Sequence, residues 1–292
     1  MKTRRDFLRL SGLAATAVCS GCATGSSGAG SWTRSEIEML DANARRNGGQ
    51  GWAAWEGGRQ ITATNSDSRG PALSITKSIA ALAVTRAVGE GLLSPSEHVA
   101  DTITEWHGDP LKSRITVLML LQQTSGLEAG VIPLYRNHPA DKGSAAVALR
   151  CVDSPGSVFR YGPGHWEVLA EVLKRKLAPK RESLGAFMSR SVMQPVGLSR
   201  GHWRSDKKDV PYLSTGTELN VKELGRLGKT IGNLLNGNNS DGLKASHFAE
   251  VTRPSAANPM FGGGLWRNRN ATSLHEPDDP WRAIRFASLG QI

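Results

Sequence analysis

Three cysteines in 292 residues are too few for a scaffold built on disulfides. No run of 18 apolar residues occurs, which excludes a bundle of membrane-spanning helices. None of the seven histidines stands in an H-E-x-x-H or other close ligand pair, so no metal site is expected. No Gly-rich dinucleotide fingerprint follows a strand-like run. Gly228-Lys229-Thr230 is not a phosphate loop, because Glu223 occupies the required first glycine. No cofactor is therefore expected. Basic residues exceed acidic ones by 36 to 26, but Lys180-Arg181 and Lys207-Lys208 are scattered and lack interleaved aromatics. Nucleic acid is accordingly not an expected partner, and these groups read as solvated faces or contacts with anionic polymers. What is present, 39% hydrophobic and 21% charged residues, is an ordinary globular composition. The length suffices for one large domain or two packed lobes.

The first residues read as an address. Thr3-Arg4-Arg5-Asp6-Phe7-Leu8-Arg9 is a charged opening with paired arginines. Leu10 to Val18 is modestly apolar and too short to span a bilayer, and small residues follow from Cys19. This is the layout of an export signal of twin-arginine type over residues 1–22. It predicts a periplasmic or cell-envelope protein. Removing it takes +3 from the net charge of +10, through Lys2, Arg4, Arg5 and Arg9 against Asp6. Cys22 follows Ser20-Gly21 as a lipidated cysteine would, which offers membrane attachment, although Cys19 stands where such signals prefer Leu. Cys151 is then the lone remaining thiol, and it reads as a small apolar residue rather than a nucleophile.

Residues 23–33 read as a Gly/Ser-rich linker and 34–292 as the folded domain. Ser35 to Arg46 has helical spacing. Two short apolar runs flank Gly57-Gly58 and predict a hairpin. A helix is predicted over 75–88, with Ile79, Leu82, Ala83 and Ala87 on one stripe. Further helices are expected at 115–122, 142–151, 164–176, 183–193 and 219–235, with strands near 261–268 and 283–289. This order predicts an α+β fold, an antiparallel sheet flanked by helices and interrupted by a helical lobe over about 100–250.

Ser74-Ile75-Thr76-Lys77 is the most informative piece of chemistry. Three residues is nearly one helical turn, so the two side chains share a face. A serine hydroxyl is a poor nucleophile until a base takes its proton. Lys77 serves as that base only when neutral, which requires burial or nearby positive charge. Backbone N–H groups at the helix start then suit an oxyanion. A second S-x-x-K, Ser205 to Lys208, lies in a charged loop with no helix behind it and reads as a solvated charge run.

Two more pieces accompany the first. They are Ile115-Thr-Val-Leu-Met-Leu-Leu-Gln-Gln-Thr-Ser-Gly-Leu127 and Pro155-Gly-Ser-Val-Phe-Arg-Tyr161. Together the three resemble the serine β-lactamase and penicillin-binding-protein superfamily over roughly residues 35–290, and within it the class C β-lactamase-like hydrolases. The resemblance implies a β-lactamase/transpeptidase-like fold and makes Ser74 the acylated nucleophile, with Lys77 its proton partner. Tyr161 matches the tyrosine of the Tyr-x-Asn motif, a phenol that acts as a base when two cations flank it. Where that motif has Asn, this chain has Pro163, which favours an ester or non-lactam amide over a β-lactam. The implied partner is a small or peptide-like ester or amide. A catalytically weak module recognising envelope peptides fits the same residues. The third motif, Lys-Thr-Gly or His-x-Gly, has its best-placed candidate in Ala287-Ser-Leu-Gly-Gln291. Relatives continue beyond that strand, so the terminal strand and helix are expected to be missing here. Trp266, after a glycine run, is expected to line the cleft.

Overall fold

A computed structural model describes residues 17–20, 33–56, 59–199 and 203–267. Most of the segment read as an export signal, Cys22, most of the linker and the Ala287–Gln291 motif lie outside the described residues, as does the expected 283–289 strand.

The first sheet has the order β1-β2-β3. Residues Ala17–Ser20 (β1) run parallel to Trp52–Glu56 (β2), which pairs antiparallel with Arg59–Thr64 (β3). β1 falls within the segment read as an export signal. The β2–β3 pairing is the expected hairpin. Helix α1, Arg34–Arg46, begins with a capping box: Thr33 accepts from the Glu36 N–H, and Glu36 accepts from the Thr33 N–H. Trp52 donates its indole N–H to Asp41 at 2.8 Å, tying β2 to α1.

Arg69–Pro71 (β4) leads into a 3₁₀ turn, Leu73–Ile75, and then helix α2, Thr76–Gly89. The predicted single apolar stripe understates this helix. It is buried without a break from Thr76 to Thr85, on every face, because small alanines and threonines let other elements close around it. Glu218–Asn220 (β5) pairs antiparallel with β4, with Gly70 opposite Leu219.

The helical region comprises α3 (Val117–Leu121), α4 (Lys142–Val147), α5 (Gly164–Leu177), α6 (Leu184–Met188) and α7 (Gln194–Val196). It continues with α8 (Val221–Leu235) and α9 (Ala245–Val251). Several expected helices are shorter than predicted. Residue 151 is drawn out of helix 142–151 because Cys151 bridges to Leu127. Ser189–Met193 forms a π turn between α6 and α7. The Gly228–Gly232 stretch lies inside α8, as expected. Gly225 of α8 sits where an added Cβ would come within 2.6 Å of the Trp55 ring, so glycine lets the helix lie on the sheet. Phe261–Gly262 (β6) and Leu265–Trp266 (β7) form a tight hairpin rather than one strand. One large core joins α2, α3, α5, α8 and α9, and Trp106, Trp166, Phe187 and Phe248 are fully buried in it.

Candidate active site

Ser74 sits in the 3₁₀ turn just ahead of α2 and is exposed. Its hydroxyl caps neither that turn nor the helix, so it is free for chemistry. Leu73 before it holds φ at +47°, in the left-handed region. A non-glycine residue there stores about 1–3 kcal/mol, and such strain gathers at sites where the surroundings impose it. One turn on, Lys77 is 3% exposed. Its Nζ donates to Ser74 Oγ at 3.0 Å and to the Ser214 carbonyl at 2.7 Å. Burial lowers the ammonium from 10.5 to about 7, and the Glu167 charge opposes that only in part. The neutral amine that a base requires is thus populated near neutral pH, through burial rather than through neighbouring cations.

The Ser214–Asn220 segment is laced to the start of α2. Thr217 Oγ1 and Thr76 Oγ1 are 2.7 Å apart, and the Ala72 N–H donates to the Thr217 carbonyl at 2.8 Å. Behind Ser214 lies Glu167 of α5, 2% exposed. Glu167 Oε1 accepts from the Ser214 N–H at 3.2 Å and from its hydroxyl. Burial pushes the Glu167 carboxyl up, while Lys142 and the Ser214 donors pull it back.

Tyr161 is carried to the site by backbone accounting between the two longer motifs. Gln123 and Gly126 both take positive φ, +55° and +81°, which turns the chain sharply after α3. Carbonyls of this stretch then collect N–H groups from the later motif. Val152 and Asp153 donate to Gly126, Gly156 to Thr124, and Arg160 to Gln123. The Gln123 side chain accepts from the Gly162 N–H at 2.8 Å. His165 is fully buried and stands between Arg160 and Ser125. The Arg160 carbonyl can only accept, so Nε2 carries the proton and Nδ1 accepts from the Ser125 hydroxyl. Burial holds this imidazole at about 4, and it is neutral. The Thr-Ser-Gly-Leu run therefore acts as a dock for the Tyr161 loop.

Ser74, Lys77 and Tyr161 come together. Lys77 Nζ lies 5.0 Å from the Tyr161 ring centroid, over its face. Burial raises the phenol, and its hydrogen bond with Ser74 lowers it only partly. Among the described residues the cation found against Tyr161 is Lys77, and it lies over the ring face. Tyr161 also joins an aromatic cluster with Phe159, Phe261 and Trp266, at centroid separations of 5.0–6.0 Å. Trp266 thus lies at the site, as expected. Gly264 of the same hairpin packs on α2: an added Cβ would stand 2.8 Å from the Lys77 carbonyl. Ser205 to Lys208 lies elsewhere, with Lys208 paired to Asp141 at 2.6 Å. Cys151 is half-buried and burial raises its thiol, so it is no nucleophile at neutral pH. Among the described residues, no group of three or more His, Cys, Asp or Glu could hold a metal ion.

Sequence reasoning missed Ser214, Glu167, Lys142 and Tyr135. Glu167 offered one signal, an acid inside an otherwise apolar helical run. Ser214 offered none, because it acts through its main-chain carbonyl.

The Beta-lactamase family profile matches residues 19–271, and the chain belongs to that family of serine hydrolases. Its β-lactamase/transpeptidase-like α+β fold recurs in solved structures. A protein from Bacteroides dorei assigned as a β-lactamase is 19% identical with a TM-score of 0.64, over 80% of this chain and 79% of that one. A protein from Bacillus anthracis assigned as a 6-aminohexanoate-dimer hydrolase is 15% identical with a TM-score of 0.64, over 80% and 68%. The octameric penicillin-binding protein homologue from Pyrococcus abyssi is 16% identical with a TM-score of 0.59, over 78% and 63%. No curated protein matches the sequence.

Proposed function

We propose that this chain hydrolyses an ester or non-lactam amide through an acyl-enzyme on Ser74. The carrying observation is the 3.0 Å hydrogen bond between Ser74 Oγ and a buried Lys77 held at about 7. Ser74 Oγ attacks the substrate carbonyl carbon while its proton passes to neutral Lys77. The Ser74 backbone N–H meets the oxyanion at the strained turn. Lys77 then gives the proton to the leaving oxygen or nitrogen, the carbonyl re-forms, and the acyl group stays on Ser74. Water, deprotonated in the same way, releases it. Tyr161, hydrogen-bonded to Ser74, shares the proton transfers with Lys77. Pro163 supplies no side-chain amide where a lactam carbonyl would be oriented, which supports the open-chain substrate.

The test is labelling of the full chain with a fluorophosphonate, beside Ser74→Ala. Labelling of the wild type alone, with hydrolysis of p-nitrophenyl esters exceeding turnover of a penicillin, is the expected result. Absence of serine-dependent labelling and of ester hydrolysis overturns it.

The proposal includes an exported location, carried by the arginine pair and apolar stretch of residues 1–22. Removal of that segment would take β1 from the first sheet and leave the β2–β3 hairpin. Among the described residues no helix is long and apolar enough to cross a membrane. Cell fractionation with intact-mass measurement reads both processing and any lipid on Cys22. An unprocessed cytoplasmic chain refutes export.

A further inference from the structure

The lysine of the site is held from behind by a buried carboxylate. Lys77 Nζ donates to the Ser214 carbonyl at 2.7 Å, its shorter hydrogen bond. Both donors of Ser214, the N–H and the hydroxyl, converge on one oxygen of Glu167. The Tyr135 hydroxyl donates to Ser214 Oγ at 2.8 Å, so the chain of donors ends on Glu167. Ser214 is fully buried, and Thr217 anchors the other end of the segment to Thr76. Where an asparagine amide would orient the lysine, Pro163 instead stands at the N-cap of α5, and Glu167 projects from the first turn of that helix.

We propose that Glu167 is a positioning residue for Lys77, clamping the Ser214 carbonyl that aims the amine at Ser74 and setting how readily that amine gives up its proton. This rests on the reading of Ser74 as the nucleophile.

The surroundings suit an anionic clamp. Lys142 of α4 is 4% exposed, and its ammonium lies over the rings of Tyr212 at 3.3 Å and Tyr135 at 5.0 Å. Its charge favours the carboxylate form of Glu167. Arg204 and Asp206 act on Lys142 with opposite signs. Around Lys77 itself stand Tyr161, over which it lies, and neutral His165 on α5. Glu167 is the group whose charge counteracts burial at Lys77.

The experiment measures fluorophosphonate labelling rates from pH 5 to 9 for the wild type, Glu167→Gln and Glu167→Asp. Wild-type labelling should rise through about pH 7, as Lys77 loses its proton. Glu167→Gln removes the charge that raises Lys77, so its midpoint should move to lower pH by about one unit. Its plateau should fall about 10- to 100-fold as the amine loses its aim. Glu167→Asp keeps the charge and shortens the reach, so its plateau falls with the midpoint nearly in place. An unlabelled wild type defeats the reading of Ser74 instead. A labelled wild type with an unmoved midpoint in Glu167→Gln overturns the role of Glu167, whatever happens to the plateau. If Glu167→Gln does not fold by circular dichroism, Ser214→Ala with Glu167→Asp decides: reduced plateaus in both support the clamp, and wild-type rates in both refute it.

Discussion

Replacing Lys77 with methionine should make the protein more stable at pH 6 and less stable at pH 10. Folded Lys77 sits at about 7 instead of 10.5. At about 1.4 kcal/mol per pH unit, burying its ammonium costs the folded state about 5 kcal/mol at and below pH 7. Between pH 7 and 10.5 the unfolded chain binds the proton and the folded chain does not. Stability therefore rises with pH across that window, and the cost fades to about 1 kcal/mol near pH 10. Methionine has a similar unbranched reach and no charge. It forfeits the hydrogen bonds to Ser214 and Ser74, worth about 2 kcal/mol together. The net expectation is a variant about 3 kcal/mol more stable at pH 6 and about 1 kcal/mol less stable at pH 10. Urea unfolding of both proteins at a series of pH values, compared as a difference, cancels the other titrating groups. A difference that is independent of pH, or that favours the wild type at pH 6, would refute the burial of a proton-poor lysine. Labelling of Ser74 should be lost in the same variant.

Other positions report on the scaffold. Gly162→Ala places a Cβ 2.2 Å from the Ala129 carbonyl oxygen, so the Tyr161 loop must shift. We expect a loss of about 1–3 kcal/mol in thermal unfolding and slower Ser74 labelling. Gly232→Ala in α8 meets nothing within 4 Å and should stabilise by about 0.5–1 kcal/mol, a control for helix propensity. Glu223, 1% exposed, accepts from Arg69 and from the N–H groups of Ser199 and Asn220. Glu223→Ala leaves Arg69 the Glu218 carbonyl but takes away its carboxylate, and should lower stability by about 3–5 kcal/mol in urea titration. His165, held at about 4 rather than 6.5, makes the folded state lose stability as pH falls through that window. The loss is about 3 kcal/mol by pH 4, and His165→Gln should flatten that part of the stability profile.

Several features needed no coordinates because their causes are local. Ser74 and Lys77 share a face because three residues is nearly a helical turn. The β2–β3 hairpin follows from two apolar runs around paired glycines, and α1 from its helical spacing. The Beta-lactamase resemblance rested on residue identities at short spacing, and the family match bears it out. Tertiary structure decided what depends on packing. Lys77 has its ammonium destabilised because the elements packed around α2 exclude water from it, and the single apolar stripe in sequence did not announce that. The Thr-Ser-Gly-Leu run holds the Tyr161 loop through main-chain carbonyls, which carry no sequence signature. Ser214 and Glu167 stand 47 residues apart, and only the fold makes one carboxylate the partner of both Ser214 donors. A burial penalty and a carbonyl's direction belong to the assembled environment, and no residue's identity encodes either.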